Sequence, residues 1–207
     1  RPYRAVPRGL VSLGELRVLA ISTALLQLAL AWWLSTKLIP LLVVVWIFLA
    51  AMSFEFGARK WLKSQPLIYM LSHMLIMPLV DGYATACDWL VHGQTMPHGL
   101  EPFLAVSFFN GIVLELGRKI RAPHDEETGV ETYSALWGRG KALMSWLGAL
   151  VVTAIFATLS ARAIGFEKVM TIVLVALTII AILAVRRFHR NAQSRSAQWI
   201  EGISALW

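Results

Sequence analysis

The sequence predicts an all-α, polytopic membrane protein, a helical bundle with six full spans and the start of a seventh. The 207 residues are 57% hydrophobic and only 15% charged, whereas a soluble domain carries about 25% charged residues. The apolar residues come in blocks of about 20, the length that a helix needs to cross a bilayer core. The nine Trp and nine Phe suit lipid-facing surfaces and membrane interfaces.

These numbers exclude a secreted disulfide scaffold, a disordered chain and an ordinary water-soluble enzyme. The single cysteine, Cys87, leaves no internal disulfide to form. In a soluble protein a net charge of +7 would suggest nucleic acid as a partner. In a membrane protein, basic residues instead collect in cytoplasmic loops, so we expect no nucleic-acid partner.

The six predicted spans cover most of the chain. They run over residues 16–36, 38–54, 66–89, 102–116, 142–161 and 169–185, and a seventh apolar segment begins near Gln198 and stops at Trp207. Pro78 and Gly82 interrupt the third span and predict a kink there. Before the first span, Ser12 with Glu15 three residues on predicts a capped helix start. No internal repeat divides the chain, so we expect one domain over residues 1–207, incomplete at both ends.

The basic residues predict the orientation of the bundle. One face, which holds the N-terminal end and the loops at 55–65, 117–141 and 186–197, carries 15 of them. The opposite face carries three, which are Lys37, Arg162 and Lys168. This asymmetry places the first face in the cytoplasm. We therefore expect a multi-pass protein of a bacterial-type inner membrane.

Three polar segments on that face are candidate functional loops. The longest, residues 110–138, reads NGIVLELGRKIRAPHDEETGVETYSALWG and mixes charges of both signs at the end of a membrane helix. Such a mixture suits an anionic phosphate head, bound by cations directly or through carboxylates that hold Mg²⁺. The alternative is a solvated loop whose cations anchor the helix end against lipid headgroups. The other two segments are RPYRAVPRGLVSLGELR at 1–17 and FEFGARKWLK at 54–63.

Together the three segments resemble the UbiA superfamily of intramembrane prenyltransferases. Residues 1–17 are similar to the RPxRPLPxGxIS loop that follows that family's first aspartate-rich motif. Residues 56–60, FGARK, match its YxxxK element with Phe in place of Tyr. Residues 121–138 resemble its second aspartate-rich motif and the glycine-containing stretch that follows. The three matches come in the family's order and cover most of the chain.

The chain also departs from the family pattern. The first aspartate-rich motif would precede Arg1. In the second motif, family members place Asp four, eight and often eleven residues before the glycine matched by Gly129; here these positions hold Asp125, Arg121 and Arg118. Asp binds diphosphate only through Mg²⁺, whereas Arg binds phosphate oxygens without a metal. The exchange predicts fewer metal ions, a different phosphorylated substrate, or a loss of activity.

The resemblance implies transfer of a polyprenyl group from a polyprenyl diphosphate to a small or lipid acceptor. It implies Mg²⁺ as cofactor, membrane lipids and those two substrates as partners, and a head-group site at the cytoplasmic loops. The expected catalytic residues are Asp125, Lys60 and Arg121, and the expected metal ligands are Glu115, Asp125 and Glu126. The expected substrate-binding residues are Arg59, Arg118, Lys119, Arg4, Arg8, His73 and Asp81.

Two questions stay open at this level. His73 and Asp81, eight positions apart on the third span, form either an acceptor-contacting pair or a hydrogen-bonded pair that fixes helix packing. For the whole chain, the alternatives to prenyl transfer are a same-fold transferase acting on a phosphosugar or a CDP-lipid, and a catalytically silent, lipid-binding subunit of a membrane complex.

Overall fold

The structure, a computed structural model, describes residues 5–207, and all regular secondary structure in that range is helical. The predicted role of Arg4 lies outside the described residues. Short 3₁₀ turns cover Glu55–Gly57 and Pro123–Asp125. The α-helices are α1 (Leu13–Leu34), α2 (Leu38–Ser53), α3 (Arg59–Ser64), α4 (Pro66–Met74), α5 (Ile76–Trp89), α6 (Leu100–Arg118), α7 (Tyr133–Trp137), α8 (Arg139–Ala163), α9 (Glu167–Arg190) and α10 (Ser194–Leu206).

Five segments among the described residues are long and apolar enough to cross a membrane: α1, the α4–α5 pair, α6, α8 and α9. The other predicted span, α2, is apolar but has only 16 residues, which rise about 24 Å against a hydrocarbon core of about 30 Å. The predicted seventh segment is α10, which begins four residues before Gln198. The helical membrane bundle is confirmed, and five of the six predicted spans reach the length of a candidate membrane-spanning helix.

The sequence also predicts two local features of these helices correctly. Helix α1 starts with a capping box in which the Glu15 amide donates to Ser12 Oγ (3.1 Å) and the Ser12 amide donates to Glu15 Oε2 (2.7 Å). The third span breaks at Leu75, between α4 and α5. Pro78 explains the break, because it has no N–H to donate and its ring conflicts with the carbonyl four residues earlier.

Helix α6 lies at the centre of the bundle and packs against α4, α5, α8 and α10. Its buried side chains join those of α8, α9 and α10 in the larger of two cores, which contains Trp146, Leu150, Phe188 and Ile200. The smaller core, where α1, α2 and α5 meet, contains Ala31, Leu38, Leu42 and Ala86. The loop that leaves α6 is held against this larger core, because Ile120 and Ala122 belong to it.

Candidate functional site

An ion cluster closes the last turn of α6. Glu115 is buried, and its carboxylate contacts Arg118 and Lys119, the residues three and four positions on. The Lys119 Nζ lies 2.6 Å from Glu115 Oε1. Because the side chains at these spacings share one helix face, the sequence itself brings the three charges together.

The next segment, residues 119–132, is fixed by Glu126. Its two carboxylate oxygens accept hydrogen bonds from Thr132 Oγ1 (2.6 Å) and Ser134 Oγ (2.7 Å). Thr132 is in turn the N-cap of α7, because its Oγ1 accepts from the Ala135 amide. The Arg121 amide donates to Ser134 Oγ at 2.9 Å. One carboxylate therefore ties the beginning of this loop to its end.

A second contact joins the loop to α10. Ser194 Oγ donates to Asp125 Oδ1 at 2.9 Å, and His124 Nε2 lies 2.7 Å from the same hydroxyl. His124 Nε2 also lies 3.6 Å from Asp125 Oδ1. Asp125, the aspartate that remains of the second motif, is therefore positioned by the first residue of α10.

Tyr133 covers the Lys119 side of the ion cluster. Its amide donates to the Lys119 carbonyl at 3.1 Å, and the Lys119 Nζ lies 5.4 Å from the ring centroid, within cation–π range. The ring is 3% exposed. Burial raises the pKa of the Tyr133 phenol well above its ordinary value, and the nearby Glu115 carboxylate raises it further. The phenol therefore stays protonated at any physiological pH.

Two polar cavities lie on either side of the loop. The larger, about 640 Å³, is bounded by α3, α4, the loop and α7. Lys63, Tyr69, Lys119 and Tyr133 all line it. It thus combines two ammonium groups and two aromatic rings with the carboxylates of Glu127 and Glu131. It joins two of the three segments that the sequence singles out.

The smaller cavity, about 390 Å³, lies between the loop and α10. Its basic residues are Arg118 and Arg121, and its lining also includes Asp125, Glu126 and Glu201. The predicted head-group residues are therefore divided, because Lys119 lines the larger cavity while Arg118 and Arg121 line the smaller one.

A third cluster surrounds the turn that follows α2. Glu55 and Phe56 both adopt left-handed backbone conformations (φ 53° and 52°), which are strained for side chains of this kind. Glu55 Oε2 is buried, has no hydrogen-bond partner among residues 5–207, and lies 3.8 Å from His73 Nε2. The His73 ring stacks on Tyr69 with centroids 4.0 Å apart, and its Nδ1 lies 2.8 Å from the Tyr69 carbonyl oxygen. The cluster thus supports a ring of the larger cavity from behind.

The predicted pairing of His73 with Asp81 does not form. His73 lies on α4 next to Glu55, whereas Asp81 lies on α5 and accepts a hydrogen bond from Ser107 of α6. The break at Leu75 separates the two residues, so the eight-residue spacing does not place them on one continuous helix face.

The remaining predicted residues with a described position line neither of the two cavities. Arg59 and Lys60 are exposed on α3, one turn before Lys63. Arg8 is exposed in the turns that precede α1. Their predicted roles on the phosphate head stay predictions.

The three predicted metal ligands do not meet. Glu115 is paired with two cations, Glu126 accepts from Thr132 and Ser134, and Asp125 accepts from Ser194. Across residues 5–207 no three His, Cys, Asp or Glu side chains are close enough to hold a metal ion together. The arrangement therefore does not fit a Mg²⁺ ion held by that trio.

The sequence reasoning missed Lys63, Tyr133 and Glu55. Lys63 follows Arg59 by four residues and so shares its helix face, a signal that was available. Tyr133 directly follows Thr132, which lies in the glycine-containing stretch after the second motif. Nothing in the sequence signals Glu55, because its contact with His73 depends on a left-handed turn at a residue that is not glycine.

Comparison with known proteins identifies the family to which this chain belongs. No curated protein and no solved structure gives a significant match to the chain. The model of the UbiA prenyltransferase family matches residues 1–206, nearly the whole sequence, and the structure is a helical bundle of membrane-spanning length. This chain is a multi-pass membrane protein that belongs to the UbiA prenyltransferase family.

Proposed function

We propose that this protein transfers a polyprenyl group from a polyprenyl diphosphate to a small or lipid acceptor, and that the diphosphate binds in the larger cavity. The observation that carries the proposal is the composition of that cavity, in which Lys63 and Lys119 line the same space as Tyr69 and Tyr133, with Glu127 and Glu131 also in the lining. Family membership supplies the class of reaction. The lysines and aromatic rings of the cavity support this location for the two charged species of the reaction, a leaving anion and a developing cation.

The two lysines suit the leaving group. An ammonium group binds a phosphate oxygen as a point charge, and charge-assisted hydrogen bonds of this kind are about twice as strong as neutral ones. Arg59 and Lys60, on the same short helix as Lys63, add positive potential at the edge of the cavity. As the C1–O bond of the substrate breaks, its electron pair leaves with the diphosphate, and these cations stabilise the growing negative charge.

The two tyrosine rings suit the other half of the reaction. Loss of diphosphate leaves an allylic cation at C1, and aromatic faces within about 6 Å stabilise a cation. The protonated state of Tyr133 keeps its ring neutral and its hydroxyl a hydrogen-bond donor. The acceptor then attacks C1 and loses a proton, which completes the transfer.

Members of this family generally use Mg²⁺, which screens the charge of the diphosphate when bound. The predicted trio of Glu115, Asp125 and Glu126 does not form one site for such an ion. We place this end of the bundle in the cytoplasm of a bacterial-type inner membrane, because basic residues concentrate there in the sequence.

The test is binding of a polyprenyl diphosphate to the purified protein, with and without Mg²⁺. The variants Lys119→Gln and Lys63→Gln should each weaken binding about tenfold, because each removes one charge-assisted contact. Lys168→Gln is the matched control, since this exposed lysine lies in the first turn of α9, at the opposite end of that helix from Arg190.

Two further variants test the metal role of Asp125 and distinguish the larger cavity from the smaller one. Asp125→Ala should lower affinity only in the presence of Mg²⁺ if Asp125 holds the metal with the substrate. Arg121→Ala should have little effect if the larger cavity binds the head group. Loss of binding in Arg121→Ala with normal binding in Lys119→Gln would contradict the larger cavity. Absence of binding by the unmodified protein would favour the silent, lipid-binding subunit.

The smaller cavity supports a second candidate function. Arg118 and Arg121 both line it, and two guanidinium groups bind phosphate directly and with defined geometry. The same fold would then act on another phosphorylated substrate, such as a phosphosugar or a CDP-lipid. Binding of such a compound, without Mg²⁺ and abolished by Arg121→Ala, would identify this function.

A further inference from the structure

A third cavity, about 410 Å³ in volume, lies where α9 ends and α10 begins. Four arginines line it: Arg186, Arg187, Arg190 and Arg195. The cavity is separate from the two beside the loop. Successive residues of α10 divide them, because Ser194 lines the smaller loop cavity while Arg195 lines this one.

No described residue neutralises the positive charge of this cavity. None of the four arginines forms an ion pair within the part of the chain that the structure describes, and no carboxylate belongs to the cavity lining. By contrast, the Arg118 and Lys119 charges beside the loop are paired with Glu115. Since like charges in one concave space repel each other, an anion bound there stabilises the arrangement.

The cavity continues into an apolar stripe along α9. Val175, Ile179 and Leu183 follow one another at intervals of four residues and therefore lie on one face of the helix. All three are more than half exposed, and Leu183 is part of the cavity lining. The face that carries the arginines at the end of the span thus carries only apolar side chains one turn deeper.

We propose that this cavity binds the headgroup of an anionic phospholipid whose acyl chain lies along Val175, Ile179 and Leu183. The phosphodiester oxygens match the forked donors of arginine. Arg187 is already oriented by Trp199, whose ring centroid lies 5.9 Å from the guanidinium carbon. A soluble anion would use only the arginines, whereas an amphiphile uses the charged cavity and the stripe together. The proposal does not depend on the reaction proposed above.

The test is native mass spectrometry of the full chain, released from nanodiscs that contain phosphatidylcholine and a minor fraction of phosphatidylglycerol. We expect phosphatidylglycerol to be retained preferentially. The variant Arg187→Gln/Arg190→Gln should lower this preference by about tenfold or more, because each cation near the membrane surface contributes to binding of anionic lipid. The control Arg139→Gln/Lys141→Gln removes the same charge from the first turn of α8, outside the cavity.

A fall confined to the cavity variant supports the proposal, and thermal unfolding of both variants checks that each is folded. Equal falls in both variants would show general attraction to a basic face and would overturn it. Displacement of the lipid by inorganic phosphate alone would assign the cavity to a free anion and would also overturn it. Displacement by a polyprenyl diphosphate would make the cavity a substrate site, against the assignment to a structural lipid.

Discussion

Helices α6 and α9 are both long enough to span a membrane, yet the more apolar of the two, α9, is the less buried. Helix α9 has the highest mean hydropathy of the five candidate spans, 2.7, and 17% of its most apolar window is buried. Helix α6 has a mean hydropathy of 1.4, and 44% of the corresponding window is buried. The helix at the centre of the bundle is the less apolar of the two.

The lower hydropathy of the more buried helix follows from the bilayer that surrounds the bundle. In a bilayer, lipid tails are as apolar as leucine, so apolar surface gains little from leaving them, and small residues that permit close helix contact decide the packing. Helix α6 has such residues at Gly111 and Gly117. An added Cβ at Gly111 would lie 2.9 Å from Met74 Sδ, and at Gly117 it would lie 1.9 Å from Ser204 Oγ. The four predictions below test this contrast, in order of decreasing effect.

The largest effect is expected for Gly117→Ala. The new methyl group would lie 1.9 Å from Ser204 Oγ and 2.8 Å from Ser204 Cβ, so α10 must move away from α6. Overpacking of this kind costs about 1–3 kcal/mol or more, and the movement also strains the Trp146–Ser204 hydrogen bond. The measurement is the free energy of unfolding in detergent.

The matched control for that change is Gly148→Ala on α8, where an added Cβ meets nothing within 4 Å. It should leave stability unchanged or raise it, since alanine is the better helix former by about 1 kcal/mol. The double variant Gly117→Ala/Ser204→Gly should recover part of the loss. Equal stability of the two single variants would show that the α6–α10 contact is not tightly packed.

A smaller effect is expected for Ser204→Ala. Trp146 is fully buried, and its indole Nε1 donates to Ser204 Oγ at 2.8 Å. Without the hydroxyl the buried N–H has lost its acceptor, which costs about 1–3 kcal/mol. The loss should appear both in unfolding and as a shift in tryptophan fluorescence. An unchanged emission spectrum would contradict the buried hydrogen bond.

The third prediction concerns pH. The pKa of Tyr133 is raised in the folded protein, whereas an unfolded tyrosine ionises near pH 10. Ionisation above about pH 10 therefore stabilises the unfolded state, and the contribution of Tyr133 is complete below that pH and lost as pH rises further. The variant Tyr133→Phe should show a shallower alkaline loss of stability. If stability falls with pH equally in the unmodified protein and in Tyr133→Phe, the Tyr133 phenol is exposed to water in the folded state.

The smallest effect is expected for Ile172→Ala on α9. Its side chain is 71% exposed on a helix of membrane-spanning length. Truncation therefore leaves no cavity inside the protein and should change the unfolding free energy by about 0.5 kcal/mol or less. A loss comparable to that of Gly117→Ala would mean that another helix covers this face of α9.

The sequence predicted the helices better than their contacts. Hydropathy, the Ser12 cap and Pro78 act within a few residues of their own position, so helix positions, the α1 start and the break at Leu75 were all predictable. The predicted second span ended at residue 54, one residue after the observed end of α2 at Ser53. The 16 residues of α2 fall short of a full span.

The division of the site between two cavities was not predictable. Arg118 and Lys119 are adjacent in the sequence, and their charges gave no sign that they line different cavities. The separation arises because α6 ends at Arg118 and the chain turns into a loop held by Glu126. That geometry depends on Thr132, Ser134 and Ser194, whose ordinary hydroxyl groups carry no signal of their own.

The ion cluster of Glu115 has a consequence for turnover. A diphosphate that binds Lys119 must compete with a carboxylate already 2.6 Å from the same ammonium group. The competition lowers the affinity for the substrate head, but it lowers the affinity for released diphosphate by the same route. In the head-group site proposed above, the Glu115 carboxylate would therefore return to Lys119 when the leaving group departs, which would favour release of the product. Because the competitor is covalently part of the protein, its effective concentration at Lys119 stays constant whatever the diphosphate level in the cell.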